Sequence, residues 1–468
     1  MSQALDSSAT QTPATSPPLA RSYTRYLFII LWLTNFLNYV DRYAFSAVLK
    51  PIRDEFGLST FQEGLLATSF LLVYTAGILP LGLLADRIKR KFVVAGGVAF
   101  WSVVTAITAI APNYGSLFAT RALLGLGEGS YFPASTSMLA SAYPKKVRAK
   151  VMSNWNTGLL AGVAIGTLGG GLAYGAFNNQ WRPVFLLFGI PGLIIALLVF
   201  RVKEPPRSAE DDTVSAETVL AREGLAGIRR NIGELWKINS LRVVVALQAL
   251  SFFVFGATTP FLAQFISDQF NVSVGTAGTI TGAVLLVGGI AGLLGGGWIA
   301  DKLITHYPAA RVLVSGWSFL IAVPCFVIAI LFTIFDFGFS PTVRLYGFFV
   351  PFFFLSVAML QVNSGPLTAV SQDVVSPLKR AAAVGLTLML SHLLGDLFSP
   401  SIVGLLSDQL SYHASSASFL QQLGVDKYTS FGFALLITCT PVLIAAGIVG
   451  IWGARFVKKD EEAAQAAA

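Results

Sequence analysis

The chain has 468 residues, of which 54% are hydrophobic and only 12% charged, with a formal net charge of +8. Soluble domains carry about 25% charged residues, so a large soluble core does not account for this composition. Two cysteines, Cys325 and Cys439, both in apolar runs, and three scattered histidines argue against a disulfide framework, a metal site or a nucleophile–base constellation; no enzyme and no cofactor is expected.

Residues 1–20 are rich in Ser, Thr, Ala and Pro without an apolar core, and read as a disordered tail rather than a cleaved signal. The first long apolar run, Tyr26 to Leu49, is followed by runs at 61–84, 92–111, 116–140, 150–175 and 183–201. These make a six-helix unit over 21–201, since each is long enough to cross a bilayer core of about 20 helical residues. A polar linker occupies 202–240, opening with Lys203-Glu-Pro-Pro-Arg207, whose prolines end the sixth helix. Leu225, Ile228, Ile232 and Leu235 then recur at helical spacing beside Arg229, Arg230 and Lys237, the pattern of a short amphipathic helix on a membrane surface. Six further runs, at 242–264, 276–300, 311–334, 343–366, 381–405 and 428–454, form a second unit over 241–456, with a tail at 457–468. The fold class is therefore an all-α membrane protein of twelve transmembrane helices in two six-helix bundles. With the N-terminus cytoplasmic, 25 of the 32 Lys and Arg fall on the inside and 5 on the outside, a strong positive-inside bias. The basic balance thus belongs to topology and lipid headgroups, not to nucleic acid.

Against this apolar background the ionisable groups inside spans stand out, because charge at membrane depth is costly and usually faces a bundle interior or a water-filled path. Arg121 and Glu128 lie seven residues apart on one face of the fourth span, and Asp41 and Arg42 lie in the first, placed to face them. His392 and Asp396, four apart on the eleventh, form a second pair. Such groups can hold a substrate anion or exchange a proton; permanent structural ion pairs are the alternative. Gln248, Gln361, Asn363, Asn154 and Asn156 are further candidate cavity liners. The halves echo one another: Gly82-Leu-Leu-Ala-Asp86-Arg87 closes the second span and Gly297-Trp-Ile-Ala-Asp301-Lys302 the eighth, as expected of a duplicated transporter. Asp86, at a cytoplasmic helix end, is placed to accept hydrogen bonds from the amino end of another span. Gly158, Gly162, Gly166 and Gly170 on the fifth span, and Gly288, Gly292 and Gly296 on the eighth, repeat at four-residue steps. Such stripes make either a sliding contact between the halves or a static packing ridge.

These motifs resemble the major facilitator superfamily over essentially all of 21–456. The loop after the second span, Gly82-Leu-Leu-Ala-Asp86-Arg87-Ile-Lys89-Arg90-Lys91, is similar to its G-x-L-A-D-R-x-G-R-[RK] signature, with Lys89 standing where the pattern has glycine; Arg121, Gly125 and Gly127 meet its fourth-span pattern. Within it the chain looks most like the spinster family, in NYVDR at Asn38 to Arg42, GEGSY at Gly127 to Tyr131, EPPR at Glu204 to Arg207 and the segment from His392 to Asp408. The first-half GLGEGSYFPAS also resembles the anion:cation symporter family. The resemblance implies a monomeric, multi-pass transporter of the cell membrane with both termini cytoplasmic, moving lysophospholipids or sphingoid-type amphiphiles with protons by alternating access. It implies a cytoplasmic gate built from Gly82, Asp86, Arg87, Arg90 and Asp301, and fifth and eighth spans that face each other between the halves. An organic-anion:proton symporter and a non-transporting ligand sensor are the rival readings.

Overall fold

The computed structural model describes residues 21–205, 232–375, 380–414 and 418–466, and the regular elements among them are helical. Six spans form the first half: Arg21–Ala47, Thr60–Arg87, Arg90–Thr108, Tyr114–Ala142, Lys145–Ala176 and Arg182–Arg201. The second half has Asn239–Thr258 continued by Leu262–Phe270, then Val274–Ile304, Ala310–Ile334, Pro341–Asp373, Arg380–Leu394 continued by Ser399–Ala414, and Ser430–Ala466. Among the described residues ten helices are long and apolar enough to cross a membrane; the first and fourth spans fall outside that count, and these carry Asn38, Asp41 and Arg42, and Arg121 and Glu128. Twelve crossings place residues 21 and 466 at one end of the molecule, here called proximal; the opposite end is distal.

Local chemistry sets several boundaries. Ser59 and Gln62 form a capping box at the start of the second span, and Asn113 and Ser116 another at the start of the fourth, satisfying amides that have no partner within the helix. A short distal surface helix, Leu49–Phe56, ends at Gly57, whose φ of 62° favours a residue without a Cβ. Two boundaries differ from expectation. The twelfth helix runs on to Ala466 through the expected tail, because Asp460 accepts the Ser240 N–H (2.8 Å) and hydroxyl (2.7 Å) at the head of the seventh span. Of the expected linker helix, 206–231 lie outside the described residues; 232–235 are helical, and Leu235 is buried in the second-half core.

Within the first half the first span packs on the fifth, the second on the fourth, and the third on the fourth and sixth; in the second half the ninth packs on the twelfth and the seventh on the eleventh and twelfth. Lipid is as apolar as a leucine side chain, so close packing and polar contacts hold these helices together. The glycine stripes serve this packing inside each half, which corrects the sliding-contact expectation. Gly162 and Gly166 admit the Phe36 and Val40 carbonyls of the first span, where a Cβ would stand 2.5 and 2.7 Å away; Gly158 and Gly170 face the same helix. Gly292 and Gly296 admit the Ala358 and Val362 carbonyls of the tenth span, at 2.0 and 2.2 Å from a Cβ. The fifth and eighth spans do meet between the halves, but through Thr167 and Gly171 against Gly275, Gly278 and Gly282.

Each half is also bolted at its proximal end. Arg90, 2% exposed, donates to Glu204 (2.9 Å), to the Ser137 and Ser141 hydroxyls (2.9 and 2.7 Å) and to the Pro205 carbonyl (2.7 Å). It joins the third span to the end of the fourth and to the segment after the sixth. Arg311 opens the ninth span in the equivalent place and pairs with Asp373 at the end of the tenth, with Asp301 3.6 Å away. Arg90 and Asp301, expected in a gate between the halves, thus bond within their own halves.

Candidate functional site

The first five spans enclose a set of polar groups at mid-depth. Three hydrogen bonds fix their frame: Trp155 Nε1 donates to the Leu31 carbonyl (3.0 Å), Asn35 Nδ2 to the Trp155 carbonyl (3.0 Å), and the Tyr131 hydroxyl to Asn35 Oδ1 (2.7 Å). Inside that frame Arg42 donates through Nη2 (2.7 Å) and Nε (3.3 Å) to one oxygen of Glu128, which is wholly buried. The second oxygen, Oε1, has no hydrogen-bond partner, and the Asn38 amide lies beside it without closing a bond. The Asp41 carboxylate, 2% exposed, has both oxygens unpartnered; Trp101 Nε1 lies alongside, also unbonded. Arg121, 5% exposed, acts on Asp41 and Glu128 through charge but has no ion-pair contact to either, and its Nε is unbonded.

Aromatic rings surround the two guanidiniums. The Arg42 carbon lies 4.6 Å from the Phe70 ring centroid, 5.0 Å from Tyr74 and 5.2 Å from Tyr39; Arg121 lies 4.1 Å from Phe45 and 5.3 Å from the same Phe70. Cation–π contacts of this kind contribute roughly 0.5–2 kcal/mol each. They tolerate cations that carboxylates do not fully neutralise. Arg42 keeps a fifth of its side-chain surface exposed while Glu128 keeps none, so a partly accessible cation holds a sealed acid.

In the second half His392 Nδ1 lies 3.0 Å from both Asp396 oxygens, with the Phe252 ring 4.6 Å from the imidazole. Gly256 lets this turn approach the seventh span: a Cβ there would stand 2.6 Å from Asp396 Cβ. Asp396 acts electrostatically on Tyr43 and Tyr74 of the first half, so the two polar groups face one central region. The other candidate liners serve structure as well: Gln248 Oε1 accepts from Ser391 (3.4 Å), and Asn363, 2% exposed, donates to the Leu360 carbonyl. Gln361 Oε1 accepts from Ser364 (3.3 Å). Asn154 and Asn156 are exposed near the proximal end.

Bonds between the halves gather distally. Asp268 pairs with Lys50 and with Arg53 (2.7 Å), and Gln264 donates to the buried Glu63 (3.2 Å), which has Arg53 at 4.0 Å. Asp408 accepts the Thr60 and Phe61 amides at 3.0 and 2.9 Å. Span eight meets span five chiefly through Val274–Ala283, and span two meets span eleven chiefly through Ser399–Ala414, with far less contact to Arg380–Leu394. Among the described residues the halves are therefore joined distally and part toward the proximal end. On the distal rim Glu55 accepts from Trp181 Nε1 (2.6 Å) and Arg182 Nη1 (2.7 Å), and the Arg182 bond holds its carboxyl below the usual range.

Of the residues expected in the site, Asp41, Arg42, Arg121 and Glu128 come together, and His392 and Asp396 form their own pair opposite. Of the expected gate, Gly82 and Arg87 lie at the proximal end of the second span, where Arg87 is exposed, and the Asp86 side chain lies outside the described residues. Glu63, Asp268 and Asp408 were not anticipated: each sits near a helix end at the distal surface, where acids are common, and their partners lie in the other half of the chain.

The family model of the Major Facilitator Superfamily matches residues 31–400. The chain is 28% identical to protein spinster homolog 3 of Danio rerio, covering 98% of this chain and 90% of that protein, and 28% identical to protein spinster homolog 1 of Xenopus laevis, covering 95% and 83%. Its fold superposes with a TM-score of 0.76, at 23% identity and over 95% and 98% of the two chains, on a crystal structure of a bacterial homolog to the human lysosomal transporter spinster in an inward-facing, unoccupied conformation.

Proposed function

Because this chain belongs to the major facilitator superfamily, we propose that it is a proton-coupled secondary transporter that carries an amphipathic or anionic small molecule, of the lysophospholipid or sphingoid kind, by alternating access. The observation that carries this reading is Arg42, which keeps a fifth of its side-chain surface exposed while it holds the fully buried Glu128. A substrate anion arriving at the exposed face competes with Glu128 for the same donors. If it takes them, Glu128 is left as a buried charge without its partner, a state costing about 3–5 kcal/mol. Uptake of one proton by Glu128 removes that cost; a proton on the unpartnered Asp41 beside it lessens it by removing the repulsion between the two carboxylates. Anion and proton then bind more tightly together than apart, which favours symport. His392 and Asp396, across the centre, receive the cationic or polar end of a headgroup, and the Phe252 side of that pair suits the alkyl chain. The proximal end, with its excess of Lys and Arg, faces the cytoplasm of a cell membrane; the transporter works as a monomer.

The test is uptake into proteoliposomes under an imposed pH gradient, offering a lysophospholipid, a sphingoid base and a sugar acid in parallel. Asp41→Asn and Glu128→Gln are expected to lower gradient-driven uptake at least tenfold while leaving binding measurable. Full gradient-driven uptake by both variants would remove the coupling role. Preference for the sugar acid would move the cargo to small organic anions, and binding without flux would make the protein a sensor.

A further inference from the structure

The distal ion pairs leave one part of the seal unaccounted for. The second and eleventh spans run antiparallel there and fit together over successive turns. Gly404 lies on the Thr60 backbone, where a Cβ would stand 2.4 Å from the carbonyl oxygen. Gly64 lies on Pro400, with the corresponding distance 2.5 Å. Deeper, the Thr68 and Ser401 hydroxyls share a hydrogen bond of 2.7 Å. The two helices thus touch backbone to backbone, with glycine at both crossings.

The amides that open the second span show what holds this seam shut. Ser59 N–H donates to Gln62 Oε1 (3.0 Å) and Gln62 N–H to Ser59 Oγ (3.3 Å). Thr60 and Phe61, between them, have helical geometry but no acceptor within their own half; both donate to the two oxygens of Asp408. The cap of this helix is completed from the other half of the molecule. A carboxylate on a helix N-terminus combines two charge-assisted bonds with the favourable end of the helix dipole.

We propose that Asp408 is the latch that sets how much of the population is closed at the distal end, and so a positioning residue for the transport cycle. Along this seam the glycine crossings contribute contact, and the two bonds to Asp408 are the charge-assisted ones that opening must break. On opening, Asp408 and the two amides pass to water together. The inference rests on the alternating-access reading, but its main readout does not.

Spin labels at Gln180→Cys and Tyr428→Cys, exposed distal positions in the two halves, with Cys325 and Cys439 replaced by alanine, report the distal separation in lipid nanodiscs without substrate. Asp408→Ala is expected to raise the ratio of open to closed distances about tenfold, in line with losing hydrogen bonds to a charged acceptor. Asp408→Asn, which keeps the volume and one acceptor oxygen, should fall between, and it carries the test alone if the alanine variant does not fold. Glu55→Gln, on the same rim but bonded within the first half, should leave the distances unchanged. Unchanged distances in the Asp408 variants overturn the latch, even if uptake falls. Absence of flux in the parent protein would overturn the transporter reading instead, and leave a shift in distances as evidence for the latch.

Discussion

Glu128 and Arg42 show how a single pair governs what the first half can tolerate. Breaking a buried pair from one side leaves an uncompensated charge, at about 3–5 kcal/mol, whereas removing both charges can be nearly neutral. Arg42→Gln is therefore expected to lower the melting temperature in detergent clearly, and adding Glu128→Gln should restore much of the loss. If the two changes destabilise additively, the pair is not the source of the cost. Glu55 offers a milder case outside the membrane. Its carboxyl is held below the usual range in the folded protein by Arg182, so the bond contributes stability above the ordinary carboxylate range and loses it as pH falls through the lowered value. The side chain is 40% exposed, so the effect is small: Glu55→Gln should melt slightly lower than the parent at pH 7 and equal to it near pH 2. A difference that persists in acid would assign it to packing. At this scale much was legible in the sequence, because charge inside an apolar run is costly wherever it occurs, and helical spacing places Arg121 and Glu128 on one face. The sequence also allowed Arg42 to pair with Glu128, as it does; it did not show that Arg121 rests on Phe45 and Phe70 rather than on Asp41.

At the scale of helices, four-residue glycine spacing specifies a smooth face and says nothing of which neighbour occupies it. Both stripes were visible in the sequence, and both turned out to face helices of their own half, because the first and tenth spans bring backbone carbonyls to them. A methyl group at Gly162 or Gly292 would meet a carbonyl oxygen of that neighbour, and overpacking of this kind typically costs about 1–3 kcal/mol. Gly162→Ala and Gly292→Ala should therefore lower the melting temperature without altering the distance between halves. Gly278→Ala behaves differently: its Cβ would meet the Thr167 carbonyl at 2.7 Å across the interface, so it should widen the distal separation. Equal effects of all three on that distance would mean the stripes are not internal ridges. The proximal bolts were hidden for a related reason. A basic cluster after the second span is read from sequence as a gate or as topology, but the burial of Arg90 among Glu204, Ser137, Ser141 and Pro205 depends on three segments that only the fold brings together.

For the whole molecule, the arrangement amounts to two internally bolted bodies joined along a distal seam. The proximal ends of each are secured by Arg90 and by Arg311, and the glycine ridges leave little room for a helix to shift within its half. A change from one open side to the other must then come from relative motion of the halves, hinging where their contacts are smooth. The buried Thr68 and Ser401 hydroxyls, 2.7 Å apart on opposite halves, offer a direct check, since the two side chains already touch across the seam. Thr68→Cys with Ser401→Cys, in a background lacking Cys325 and Cys439, should cross-link on mild oxidation. The bridged protein would be held distally closed: uptake should fall to the level of empty vesicles, and a reductant should restore it. The serine–threonine contact itself is neutral, so the unbridged double variant is expected to transport near the parent rate, which separates the covalent tie from the substitutions. Undiminished uptake by fully bridged protein would mean that cargo passes without the distal seam opening, and that the halves do not rock.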